Sequence, residues 1–176
     1  MTIRVVNFVL FQAGWFACVL GAARDLFWLG PASAIGVVGV CLALAENRKR
    51  STTNVVLAAV VGPALDAALA HSGTLTYPGK FLAGFWPPLW IIALWAMFGS
   101  TFDSGLAWLS RRYVLASLFA VLFAPLSYMA GRSLGAVETA PEPLRWILPV
   151  AGLWAVGLPG LLWLCRQLHP PTATDG

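Results

Sequence analysis

The chain has 176 residues, of which 59% are hydrophobic and 10% charged, with a mean hydropathy of +0.78. Soluble domains carry about 25% charged residues, so a water-soluble fold of this size could not hide so much apolar surface. The net charge of +4 is small and forms no solvated basic face, which excludes nucleic-acid binding.

Apolar runs long enough to cross a ~30 Å hydrocarbon core predict an all-α membrane protein, residues 1–168 forming one bundle of six transmembrane helices. The first span, 3–23, reads as uncleaved, because Asn7, Gln12 and Trp15 interrupt it where a signal sequence is plainer. The second, 27–45, carries Ala32, Gly36, Gly39 and Ala43 on one helical face, a stripe that predicts close helix packing. It stops at Glu46-Asn47-Arg48-Lys49-Arg50. The third, 52–70, places Ala59, Gly62, Asp66 and Ala70 on one face, with Pro63 removing a backbone donor one turn before the acid. A turn-rich loop, 71–85, follows.

The fourth span, 87–109, opens on Pro87-Pro88 and holds a polar patch of Ser100, Thr101, Asp103 and Ser104. A carboxylate in lipid costs a few kcal/mol, so Asp103 must face protein or water. The fifth, 113–130, has a small-residue stripe of Ser117, Ala120, Ala124, Ser127 and Gly131 around Pro125. The sixth, 144–165, contains Pro149 and Pro159, and 169–176 read as a short disordered tail. Arg50 precedes Pro63 by the same 13 residues that separate Arg112 from Pro125, a hint that spans three and five are parallel copies.

Seven of the 11 Lys and Arg fall on one side if both termini are cytoplasmic, including the clusters at 48–50 and 111–112. The positive-inside rule then predicts a multi-pass protein of a bacterial inner (plasma) membrane. Cys18, Cys41 and Cys165 lie far apart in apolar runs, and His71 and His169 are not at ligand spacing, so neither a metal nor a cofactor is expected.

A rise of 1.5 Å per residue puts Asp66 in the outer third and Asp103 in the inner third, roughly 15 Å apart in depth. A catalytic carboxylate pair sharing one proton needs a separation of about 3 Å, so an aspartyl-protease reading fails. Two polar layers remain. The outer layer holds Asp66, His71, Tyr128 and Arg132, with Asp66–Arg132 as the natural ion pair. The inner layer holds Asn7, Thr101, Asp103 and Ser104, with Arg4 and Arg111 nearby, and Gln12 sits at mid-depth. Such layers line a polar path or two head-group pockets, or else hold the bundle in register. The Ser and Thr hydroxyls are expected to bond back to their own helix. No catalytic motif such as GxSxG, HExxH or a Walker loop occurs.

The segments Asn7-Phe8…Phe11-Gln12…Trp15, Gly62…Asp66…Gly73, Leu94-Trp95…Phe98…Thr101, Leu106-Ala107-Trp108-Leu109 and Pro125-Leu126-Ser127-Tyr128-Met129-Ala130-Gly131…Leu134-Gly135-Ala136 resemble a family of small bacterial integral membrane proteins catalogued only as a domain of unknown function. The resemblance runs nearly end to end. It departs at the fourth span, where the family pattern is closer to Thr-Leu-Asn-His-Ser-Leu and this chain has Thr101-Phe102-Asp103-Ser104-Gly105. It therefore carries Asp66 and Tyr128 as family-like positions and not Asp103. It implies an inner-membrane location and no activity, and members look often to be encoded near fatty-acid-modifying enzymes. The expected function is to bind, move or present a lipid or small amphiphile without a catalytic centre of its own. The partners this calls for are the bilayer, an amphiphilic ligand and a soluble enzyme on the loops at 46–51 and 109–113. The alternatives are a lipid enzyme working at the outer layer and a small-solute or proton-coupled permease. Oligomeric state is not legible from the small-residue stripes.

Overall fold

The computed structural model describes residues 2–168. The predicted tail, with His169, lies outside them. Six α-helices are present: α1 (Thr2–Ala23), α2 (Leu29–Ala43), α3 (Arg48–His71), α4 (Leu89–Gly99), α5 (Tyr113–Ser133) and α6 (Pro143–Gln167). Four of them, α1, α3, α5 and α6, are long and apolar enough to cross a membrane. Large apolar side chains such as Ile35, Val114, Leu144 and Val156 stand exposed around the bundle, as a lipid-facing surface requires.

The helices form three hairpins, α1 with α2, α3 with α4 and α5 with α6. The first helix of each hairpin ends in the same way. The amides of Gly73 and Thr74 donate to the Ala70 and Leu69 carbonyls, and those of Gly135 and Ala136 to Arg132 and Gly131. These are Schellman ends, which need a left-handed residue just past the helix, and Gly73 (φ 73°) and Gly135 (φ 85°) supply it. At the end of α1 Asp25 takes the same place with φ 58°.

The parallel-copy hint extends further. Asp66 follows Pro63 by three residues, as Tyr128 follows Pro125, and Gly73 and Gly135 each fall ten after their proline. Beyond the two glycines the chain enters short strands, β1 (Leu75–Thr76) and β2 (Glu138–Thr139), which pair antiparallel with Leu75 opposite Thr139. This ladder is absent from the all-α expectation, because two-residue strands leave no periodicity to read. It joins the loops after α3 and α5 into a cap over one end of the bundle.

Two spans are shorter than expected. In place of 27–45, α2 has 15 residues, about 22 Å long. In place of 87–109, α4 has 11 residues and ends at Gly99, followed by turns and a 3-10 turn at Ala107–Leu109. The helix stops because hydroxyls and amides take over its last carbonyls. Ser100 Oγ donates to the Met97 carbonyl at 2.6 Å and Thr101 Oγ1 to the Phe98 carbonyl at 2.7 Å. The Leu106 amide folds back onto the Thr101 carbonyl. The polar patch of Ser100, Thr101, Asp103 and Ser104 therefore lies on turns and not on a helix.

The small-residue stripes divide. On α3, Gly62 and Asp66 are buried against α4, and a Cβ on Gly62 would stand 1.9 Å from Cδ2 of Trp95. On α2 the stripe of Ala32, Gly36, Gly39 and Ala43 faces outward, with nothing within 4 Å of either glycine. The buried face of α2 is instead Gly30, Ala34 and Val37, where Gly30 meets Trp90 and Cys18. A hydropathy pattern cannot separate these two faces, because lipid and protein neighbours are equally apolar. The core centres on Trp95, which stacks on Trp154 of α6 at 4.8 Å between ring centroids.

Gly62→Ala should destabilise the protein by about 3 kcal/mol, near the top of the overpacking range, because Trp95 is pinned on both faces. Gly36→Ala should change stability by less than about 0.5 kcal/mol. Thermal unfolding midpoints of the two variants in the same detergent check the pair.

Candidate functional site

The polar side chains gather in two places, at opposite ends of the bundle. Under the cap lies Asp66, 3% exposed on α3. Oδ1 accepts from the hydroxyl of Tyr77 in the cap loop at 2.6 Å and from the hydroxyl of Tyr128 on α5. Oδ2 accepts from the indole Nε1 of Trp95 on α4 at 2.5 Å. Three neutral donors from three elements thus converge on one carboxyl group, and Trp154 packs edge-on to Tyr128 behind them. Burial, and then the neighbouring Asp66 carboxyl, push the Tyr77 phenol well above its ordinary value, so it serves as a donor.

The expected Asp66–Arg132 ion pair is not formed. Arg132 is exposed at the end of α5 and makes no ion pair among the described residues. The outward direction of its side chain leaves the phenols and the indole, which suffer far less from burial than a guanidinium, to satisfy the acid. His71 is also exposed, and its Nε2 meets the Phe85 carbonyl at 3.0 Å rather than Asp66. Of the predicted outer layer, only Asp66 and Tyr128 come together.

At the other end, the amino end of α1, the carboxyl end of α2, the start of α3 and the segment after α4 enclose a cavity of about 330 Å³. Arg4 and Asn7 line it from α1, Cys41 from α2, Arg50 from α3, and Asp103 and Ser104 from the turns after α4. Asp103 is the hub of this wall. Its Oδ1 pairs with Arg50 Nε at 2.8 Å, and its Oδ2 accepts from Ser51 Oγ at 3.0 Å and Asn54 Nδ2 at 2.8 Å. The partner is therefore Arg50, and neither Arg4 nor Arg111. Asn7 Nδ2 donates to the Ser100 carbonyl at 3.2 Å and to Cys41 Sγ at 3.1 Å, while its buried Oδ1 has no partner among the described residues.

Of the expected inner layer, Asn7, Asp103 and Ser104 line this one cavity. Thr101 is buried and turned back on its own helix end, outside the cavity lining. Gln12 is half-buried on α1, and no side-chain hydrogen bond of its own is formed among the described residues. A second, shallow hollow of about 490 Å³ lies at the start of α5, where its polar residues Arg111 and Arg112 are both exposed. The two carboxylates stay apart: Asn54, which holds Asp103, and Asp66 are 12 residues apart on α3, about 18 Å.

Sequence reasoning missed Tyr77, Trp95, Arg50, Ser51 and Asn54. The last two had a signal, since Ser51, Asn54, Ala58 and Gly62 recur at three and four residues on one face of α3. Tyr77, in a loop, had none, and Trp95, although within a family-like segment, reads as packing in an apolar run.

A family profile described as "Protein of unknown function (DUF2878)" matches residues 4–160. The chain belongs to that family. The matched segment takes in both clusters, from Asn7 to Trp154, and runs nearly end to end as the resemblance implied. No curated protein and no solved structure matches the chain.

Replacing Asp66 by Leu leaves two phenols and an indole without their acceptor, each worth about 1–3 kcal/mol when buried. Asp66→Leu should therefore cost more than about 3 kcal/mol. Asp66→Asn keeps one acceptor oxygen and should cost about 1–3 kcal/mol. Equilibrium unfolding of both variants in mixed micelles, read by tryptophan fluorescence, checks the order.

Proposed function

We propose that the chain is an integral protein of the bacterial inner membrane, crossing it six times with both termini cytoplasmic. On this reading it binds the polar end of a lipid or small amphiphile in the cavity lined by Asn7, Asp103 and Ser104. One observation carries it: α4 stops at Gly99 while its neighbours α1 and α3 run on, and the unwound turns after it line a polar cavity at that end of the bundle. Irregular backbone inside a membrane protein survives only where protein or a wet cavity satisfies its amides and carbonyls.

The helix lengths favour the same reading. The short helices α2 and α4 leave off beside the longer α1 and α3, and polar residues fill the space between. The basic clusters Arg48-Lys49-Arg50 and Arg111-Arg112 mark this end as the cytoplasmic one under the positive-inside rule. Ile3 and Leu44 at the cavity rim are exposed and apolar, which suits a ligand with a polar head and a hydrocarbon body. Within the loops at 46–51 and 109–113, the exposed residues Glu46 to Arg50, Arg111 and Arg112 then offer a soluble enzyme that works on acyl chains a place to dock.

Protein purified in mild detergent should carry about one amphiphile per chain in native mass spectrometry. Ala107→Trp, which fills the cavity from its wall without removing a polar group, should lose it while helical content by circular dichroism stays unchanged. A wild-type chain that flies bare, or an Ala107→Trp chain that keeps the same adduct, would rule the cavity out as the binding site.

A further inference from the structure

Two guanidinium groups line the cavity, and they differ in how they are held. Arg50 is held through its Nε by Asp103, and its side chain is still 46% exposed beside the cavity. Arg4 is exposed at the cavity edge and makes neither an ion pair nor a hydrogen bond among the described residues. Asp103 cannot neutralise both, since its two oxygens already accept from Arg50, Ser51 and Asn54. Glu46, the other acid of the lining, is exposed and makes no ion pair among the described residues.

The same wall holds an acceptor with nothing to accept. Asn7 is 4% exposed, and its Oδ1 is unpartnered while its Nδ2 is doubly used. On one side Oδ1 is covered only by the Gly105 turn, where an added Cβ would stand 3.7 Å from it, in ordinary contact. A buried amide oxygen calls for an O–H or N–H donor.

Free guanidinium donors beside one unmet acceptor are the complement of a phosphate that carries a hydroxyl or a primary ammonium close by. Building on the cavity as an amphiphile site, we infer that its ligand is a phosphoester of that kind. The phosphate sits between Arg4 and Arg50, and the hydroxyl or ammonium donates to Asn7 Oδ1. Phosphoglycerol and phosphoethanolamine heads meet this description. A phosphocholine head does not, because its quaternary nitrogen has no N–H to give. The same chemistry is available from a membrane lipid or from a soluble phosphoester.

Cys41 provides the readout. It is half-buried in the cavity wall and accepts from Asn7 Nδ2, whereas Cys18 and Cys165 are buried. A head group seated beside Asn7 covers it. The full chain is reconstituted in nanodiscs of phosphatidylcholine alone, or of phosphatidylcholine mixed with phosphatidylglycerol or phosphatidylethanolamine. Alkylation of Cys41 by N-ethylmaleimide is then followed by mass spectrometry. Parallel phosphatidylcholine discs receive sn-glycerol 3-phosphate or phosphoethanolamine in solution.

Alkylation should be several-fold slower in the phosphatidylglycerol or phosphatidylethanolamine discs than in phosphatidylcholine. Arg4→Gln should abolish the difference and Arg4→Lys should keep most of it, since Arg4 is exposed and neither change disturbs the bundle. Equal rates under every condition overturn the phosphoester, even if the native spectra still show a bound amphiphile of another class. Protection by the soluble esters alone keeps the phosphoester chemistry and overturns the amphiphile as its source.

Discussion

A carboxyl group buried among helices must be given donors, and in this bundle those donors come from everywhere except its own helix. Asp66 on α3 takes a phenol from the cap loop, a phenol from α5 and an indole from α4. None of the three groups can be satisfied by lipid, and each would be costly to bury alone. The cluster therefore fixes which element lies beside which. It also explains why Trp95 sits where Gly62 leaves room for it, and why the cap loop dips back toward the bundle at Tyr77.

The acceptor and one of its donors occupy equivalent places in successive hairpins. Asp66 and Tyr128 each stand three residues past a proline and seven before the glycine that ends the helix. A repeated hairpin has thus become a lock and its counterpart, with the ladder between β1 and β2 adding main-chain bonds beyond it. The opposite end is built differently. There a charged pair, Asp103 with Arg50, is surrounded by space as well as by partners, and α4 gives up its last turns to form the wall. One end is packed shut and the other is hollow.

How much of this the sequence disclosed depends on the kind of interaction. The apolar runs place all six helices, and spacing places Gly62 and Asp66 on a buried face of α3, because burial repeats with the helical period. The expected layers put Asp66 with Tyr128, which hydrogen-bond, and Asp103 with Asn7, which line one cavity. Periodicity names a face but never a partner, so Arg132 was assigned a role that Tyr77 and Trp95 fill. An indole in an apolar run reads as packing until geometry shows its N–H at work. The end of α4 was missed because Ser100 and Thr101 read as helix surface, although their hydroxyls compete for the carbonyls that a helix needs. The outward stripe on α2 reads as a packing face because bilayer and protein neighbours look alike to a hydropathy scale.

The ladder between the loops after α3 and α5 has a mechanical consequence. Strand pairing forbids those two helices to slide along their axes, because a shift of one residue would break the register of Leu75 with Thr139 and Thr76 with Glu138. The cap thus sets the axial alignment of the two rods, and with it the level at which Arg50 on α3 and Arg112 just before α5 stand at the far end.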